Sequence, residues 1–267
     1  MRKILIILFG LFLPYTWAQA ATYTFMAPPR QNRATATRIY APIAAYLTRA
    51  TGASFVFHYT SNWLTYMQEV HNNSADLYFD GPSMIGWRIA HWHDVPVARL
   101  TGHLRFVVVT TAAQTKISDV KQLIGRTVCA FSPPNLATLT LDSWFPNPER
   151  QPYIVVIHSL PAALKRLLAG QCDATILPTA AYHILSAKIP GSTKVIFKAP
   201  PLPNQAFSVS AALPAALRAR VTAALLAQGG ARATAPLRAL FGGHRLIKTQ
   251  TQTYTPYRKL LRVMVGF

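Results

Sequence analysis

Three short apolar runs in this chain end in a turn that opens a helix with a hydroxyl or amide side chain: Leu77-Tyr78-Phe79-Asp80-Gly81-Pro82-Ser83, Val128-Cys129-Ala130-Phe131-Ser132-Pro133-Pro134-Asn135 and Ala174-Thr175-Ile176-Leu177-Pro178-Thr179. The first N–H groups of a helix have no partner inside it and carry partial positive charge, so several aimed at one cleft make a site for a small anion. Little else in the chain could do chemistry. Of the eight carboxylates, only Asp80, Asp142 and Asp173 fall near the ends of predicted strands or in the elements after them, and no Gly-x-Ser-x-Gly, His-Glu-x-x-His or P-loop string occurs. His91-Trp92-His93 has the spacing of a metal pair but no partner acid, and reads as surface. Anion recognition is therefore the leading chemistry, and catalysis the weaker class.

The elements that must position these turns alternate strand and helix, the pattern of parallel sheets with crossover helices. Strands are predicted at Tyr23–Ala27 and Ser54–His58, in the run ending at Asp80, at Arg105–Thr111, Thr127–Phe131 and Tyr153–His158, and again after Asp173 and at Ala206–Ala211. Helices are predicted at Ala34–Gly52, with Ile39, Ile43, Tyr46 and Leu47 on one face, at Asn62 to about His71, Ser83–Ala90, from Asn135, at Pro161–Ala169, Ala215–Gln228 and Ala235–Phe241. Ser118 to Leu123 reads as a capped helical turn closed by Gly125.

At the N-terminus, Arg2 and Lys3 precede ten apolar residues, Ile4 to Leu13, and the small-x-small triplet Ala18-Gln19-Ala20. This is the layout of a cleaved secretion signal over residues 1–20; the competing reading, a membrane anchor, needs an apolar run of about 20 residues. Export in turn gives the cysteines a meaning. Cys129 lies within one predicted strand and Cys172 just before another, and an even count in an oxidising compartment suggests a bridge, with two buried free thiols as the alternative.

The chain has 27 Lys and Arg against 8 Asp and Glu, an imbalance that comes from missing acids. Nucleic acid is not the expected partner, because the basic residues are scattered, form no run of five, and stand behind a secretion signal. Acid depletion reads better as adaptation to low external pH. Acid unfolds ordinary proteins by protonating carboxylates with depressed folded-state pKa values, and this chain has few to lose.

The order and wording of several segments resemble the phosphate/phosphite/phosphonate-binding family of periplasmic binding proteins. They are the early helix ending Tyr46-Leu47-Thr48-Arg49-Ala50-Thr51-Gly52, Asp76 to Ser83, Ile117 to Val128, Ser159 to Leu164 with Leu168 to Ala174, and Tyr254 to Leu261. The resemblance covers nearly all of the chain after the leader. It implies an α/β, two-lobed type II fold, each lobe a mostly parallel sheet flanked by helices, joined by two crossover strands near Phe106–Thr110 and Gln205–Ser210. Lobe 1 would comprise residues 21–105 and 206–267, and lobe 2 residues 106–205. It implies a monomer without cofactor or metal that clamps a small oxyanion between the lobes in the periplasm for an ABC permease. The same fold also serves as the sensing subunit of a membrane kinase, which sequence does not separate from an importer.

Carried over position by position, the resemblance implies ligand contacts from Trp63, from Gly81, Pro82 and Ser83 in the first-lobe turn, from Ser132 and Asn135 in the second, from His158 and Ser159 at the next strand end, and from Thr179. Each Ser or Thr could equally be an ordinary helix cap, and His158 an ordinary strand-end histidine. The chain also departs from the family pattern. Pro133 and Pro134 remove two backbone donors, and Asp80 stands in the cleft wall where its carboxylate would repel an anion unless protonated or paired. No acid near Pro178-Thr179 could hold a ligand amine, so a compact oxyanion is expected in preference to an aminoalkylphosphonate.

Overall fold

The computed structural model describes residues 21–262 and 264, so the leader read in residues 1–20 lies outside the described residues. The first sheet takes its strands from both ends of the chain. β1 (Thr22–Met26), α1 (Arg33–Thr51), β2 (Ser54–His58), α2 (Trp63–His71), β3 (Leu77–Asp80), α3 (Pro82–Trp92) and β4 (Val95–Leu100) come first. The chain then passes through β5 (His103–Leu104) into a second sheet built from β6 (Phe106–Thr111), β7 (Thr127–Ala130), α4 (Leu136–Asp142), β8 (Tyr153–Val156), α5 (Leu160–Leu168), β9 (Ala174–Pro178), α6 (Thr179–Ser186) and β10 (Thr193–Lys198). It returns through β11 (Leu202–Pro203) to β12 (Ala206–Val209), α7 (Ala215–Leu226), α8 (Gln228–Ala233), α9 (Ala235–Phe241) and β13 (Leu246–Lys248), and closes on a 3-10 segment at Thr255–Leu261. The strand orders are β13-β4-β12-β3-β1-β2 and β10-β6-β9-β7-β8.

The local signals act within a few residues of where they stand. Asn32 caps α1 by accepting from Thr35 N at 2.9 Å, and Gly52 ends that helix at φ 72°, in the left-handed region glycine enters at no steric cost. Ile39, Ile43 and Leu47 on its inner face are buried against Phe25, Phe79 and Phe207 of the sheet, while Tyr46 reaches across to donate to Ala224 O at 2.9 Å.

Two expectations need correction. The sheets are mixed: β2, β1 and β3 run parallel, as do β8, β7 and β9, but β12, β4 and β13 join the first sheet antiparallel, as β6 and β10 join the second. β12 and β6, the strands that arrive from the other sheet without a crossover helix between parallel neighbours, each run against both strands beside them. The crossing itself also lies earlier than Phe106–Thr110 and Gln205–Ser210. β6 pairs wholly within the second sheet and β12 wholly within the first, and the chain crosses through the two-stranded ribbon in which Leu104 faces Leu202 and His103 faces Pro203. The cysteine expectation holds: Cys129 and Cys172 are bridged, with Cα atoms 5.8 Å apart, because β7 and β9 are parallel neighbours with Cys129 opposite Thr175.

α3 lies against the C-terminal 3-10 segment so closely that a Cβ at Gly86 would sit 2.6 Å from Arg258 N and 2.7 Å from Tyr254 O. Both neighbours are backbone and cannot swing aside. Gly86→Ala should therefore lower stability by about 1–3 kcal/mol, the usual cost of overpacking. A thermal melt matching the parent would show that the helix can shift without cost.

Candidate functional site

A cleft of about 960 Å³ lies between the two sheets and is walled by both. From the first sheet come the turn after β1, carrying Pro28, Pro29 and Arg30, the start of α2 at Trp63, and the start of α3 at Gly81, Ser83 and Met84. The second sheet contributes Phe131, Asn135 and Leu136 after β7, and the start of α6 at Thr179, Ala180 and His183. Arg105 and His103 line it at the ribbon.

Helix starts reach this cleft because each follows the end of a strand whose register is set within its sheet. α3 begins with Gly81 as its cap, without a side-chain hydrogen bond to that cap, and with Pro82 at a first-turn position where a missing N–H costs nothing. α6 likewise has no side chain capping its start, although Thr179 N donates to Arg105 O at 2.8 Å and ties the helix to the crossing. At α4 the cap is Asn135 itself, which accepts from Ala137 N at 3.0 Å.

Of the residues expected here, Trp63, Gly81, Ser83, Asn135 and Thr179 do line the cleft, and the other five do not. Asp80 is fully buried behind it. It accepts a hydrogen bond from Tyr66 Oη at 2.7 Å and pairs with Arg88 Nη1, which corrects its expected place in the cleft wall: the carboxylate is paired and faces inward. Pro82 is buried in the first turn of α3. Ser132 is exposed and donates to the neighbouring Pro133 O at 3.3 Å, while Phe131, Pro134 and Asn135 on either side of it line the cleft. His158 and Ser159 are exposed, and the Ser159 hydroxyl accepts from Ala162 N at 3.3 Å as an ordinary helix cap.

Arg88 is the hub of the cluster that holds Asp80. Its Nε donates to Asp94 at 2.9 Å, its Nη2 to Ser208 at 2.7 Å, and its guanidinium lies 3.9 Å from the centre of the Tyr78 ring, all with no solvent exposure at Arg88. Burial pushes Arg88 down, but Asp80 and its other anionic neighbours outweigh that and hold it above its ordinary value. One guanidinium cannot neutralise two carboxylates. Asp94 is accordingly pushed up to about 6 by burial, against the opposing pull of Arg88.

Sequence reasoning missed the basic groups of the cleft. Arg30, Arg105, His103 and His183 all line it, and no Asp or Glu is among its lining residues. The Arg30 guanidinium lies 5.3 Å from the centre of the Phe241 ring. A Cβ placed on Gly81 would lie 3.7 Å from Arg30 Nη2 and 4.0 Å from Leu136 Cδ2, so at this point the two lobes nearly meet. No motif marks Arg30; the signal available was its place directly after a strand end, in Pro28-Pro29-Arg30. Chemically, two arginines, two histidines and uncapped helix starts around an apolar cleft suit an anion. Among the described residues, no three His, Cys, Asp or Glu gather as a metal site would require, and His91 instead stacks on Trp87 with ring centres 4.1 Å apart.

Residues 25–254 match a family described as the periplasmic substrate-binding protein of a phosphonate ABC transporter. The chain belongs to this family. It is a family of substrate-binding proteins, not of enzymes, and the sensor-subunit alternative gains no support from the match. Among solved structures, the binding protein resembles PhnD1 from Prochlorococcus marinus in complex with methylphosphonate, with a TM-score of 0.68 at 13% identity over 92% of this chain and 99% of that one. It also resembles XAC2383 from Xanthomonas citri bound to ATP, with a TM-score of 0.73 at 10% identity and the same coverage. A third likeness is to a binding protein component of an ABC phosphonate transporter from Pseudomonas aeruginosa, with a TM-score of 0.60 at 12% identity over 90% of this chain and 85% of that one. At these identities the likeness is one of fold, the two-lobed type II architecture. No curated protein matches.

Proposed function

We propose that this binding protein clamps an oxyanion of the phosphate, phosphite or phosphonate kind in the cleft, as a periplasmic monomer, and delivers it to an ABC permease. Lobe 1 is residues 21–105 with 206–267 and lobe 2 residues 106–205, a division supported by the strand membership of the two sheets. The observation that carries the reading is that Arg30, Arg105 and the side-chain-uncapped starts of α3 and α6 converge on a cleft that, among the described residues, is lined by no carboxylate. The ribbon of β5 and β11 is the natural hinge, being two residues wide on each strand. Hinge closure is the usual way such lobes sequester a ligand.

Calorimetry with phosphate, phosphite, methylphosphonate and sulfate tests this. Arg30→Ala and Arg105→Ala should each weaken the best anion by about 10- to 100-fold, the worth of a hydrogen bond to a charged group. Losses below about twofold in both would misplace the site, since a twofold change is well under the ordinary worth of such a bond. The leader is a separate element of the proposal, and N-terminal sequencing of exported protein should begin at about residue 21.

We propose further that the protein works in acid. Asp94, and Asp142 where burial raises it to about 6, both have folded-state values above their ordinary 3.8. A raised carboxyl means that the folded state binds more protons than the unfolded one. These groups therefore add stability that is fully present below about pH 4 and is lost as pH climbs through about 6, by about 3 kcal/mol for the buried Asp94. Thermal melts by circular dichroism from pH 2 to 8 should show the midpoint holding or rising as pH falls from 6 to 4. A midpoint that drops steadily over that interval would refute acid adaptation.

A further inference from the structure

Resting on the oxyanion reading, we infer that the ligand carries a bulky, apolar, amine-free substituent on its anionic head, an arylphosphonate being the simplest case. The cleft volume of about 960 Å³ is at the upper end of the range that encloses drug-sized molecules. At this separation of the lobes, before any closure, an inorganic oxyanion would leave most of that space to water. The walls point the same way: Trp63 and Phe241 from one lobe face Phe131, Leu136 and Leu160 from the other, and all five are only half-buried, keeping apolar surface directed at the cavity. A phosphate ion has nothing to cover that surface with, whereas a ring or branched alkyl group does.

Charge sets the remaining terms. With no Asp or Glu in the lining and Arg30 and Arg105 present, a ligand amine would find only like charges, so an aminoalkyl substituent is disfavoured. The position of Arg30 joins the two requirements, because its guanidinium lies beside the Phe241 ring and next to the approach of Gly81 to Leu136. An anionic head held there places its substituent among the apolar side chains of both lobes, and their contact with it favours closure.

Calorimetry on the intact protein with phenylphosphonate, methylphosphonate, 2-aminoethylphosphonate, inorganic phosphate and neutral benzyl alcohol is the test. Phenylphosphonate should bind about tenfold tighter than methylphosphonate or phosphate, the return expected from removing about 60 Å² of apolar surface from water. 2-Aminoethylphosphonate should be the weakest phosphonate. Phe241→Ala and Trp63→Ala should each weaken phenylphosphonate about fivefold or more, and by a larger factor than they weaken methylphosphonate, since only the former covers their rings. Unchanged melts would confirm that both variants fold, and the wild-type ranking stands without them. Equal or tighter binding of phosphate, methylphosphonate or 2-aminoethylphosphonate would overturn the inference and leave the oxyanion reading intact. Failure of every anion, or benzyl alcohol binding as tightly as phenylphosphonate, would sink the oxyanion reading and the inference together.

Discussion

Arg88→Met should cost the protein about 3–5 kcal/mol at pH 7, because it leaves Asp80 and Asp94 as buried carboxylates without their counter-charge. Arg88 is the sole cation in contact with both among the described residues, and each of its three nitrogens is used: Nη1 for Asp80, Nε for Asp94 and Nη2 for Ser208. Tyr66, whose burial together with Asp80 holds its hydroxyl protonated well above its ordinary value, would still donate to Asp80 but cannot offset a charge. The loss has a pH signature. Without Arg88 nothing opposes the burial that already raises Asp94, so the deficit should be largest at neutral pH and shrink as pH falls toward about 4, where carboxyls are protonated in folded and unfolded chains alike. Denaturant titrations of the parent and Arg88→Met at pH 7 and pH 3.5 would show it, and Arg88→Met combined with Asp80→Asn and Asp94→Asn should regain stability at pH 7. A deficit equal at both pH values would mean that the loss is one of packing. The turn at Gly81 follows Asp80 directly, so this cluster also anchors the start of α3 in the cleft.

Removing the disulfide should have the next largest effect. The bridge joins residues 43 apart, and constraining the unfolded chain over such a loop is worth up to about 4 kcal/mol on the chain-entropy view. Both cysteines are buried in the apolar cluster of Val107, Leu164, Leu167 and Leu177, so Cys129→Ala with Cys172→Ala avoids adding an unpaired polar group there. The double variant should melt earlier, with the loss in the second sheet, where both residues lie. Thiol titration of the unfolded, unreduced protein should find no free thiol; two reactive thiols per chain would end the proposal of a bridge in the mature protein.

Strand ends and helix starts were legible because their causes are local. Asn62 accepts from Thr65 N and Asn135 from Ala137 N, each capping the helix that follows, and Gly170 takes the left-handed conformation at φ 69° that the end of α5 calls for. Hence Trp63, Gly81, Ser83, Asn135 and Thr179 could be placed at one cleft from sequence and resemblance. Ser132 and Asp80 were misplaced for a related reason. Their position in a turn was right, but the direction of a side chain depends on what packs behind it.

The alternation of strands and helices, the resemblance to the family and the scarcity of acids could be read directly, since each is written in neighbouring residues, in segment order or in composition, whereas the bridging of Cys129 and Cys172 needed the pairing of β7 with β9. Only the tertiary structure decided which charges meet. Arg88 finds Ser208 across 120 residues, the chain crosses at a two-residue ribbon, and Arg30 and Arg105 enter the cleft from separate elements. Such pairings follow from which strands and helices come to lie side by side and from the need to neutralise buried charge, and neither has a period or a spacing along the chain from which it could be read.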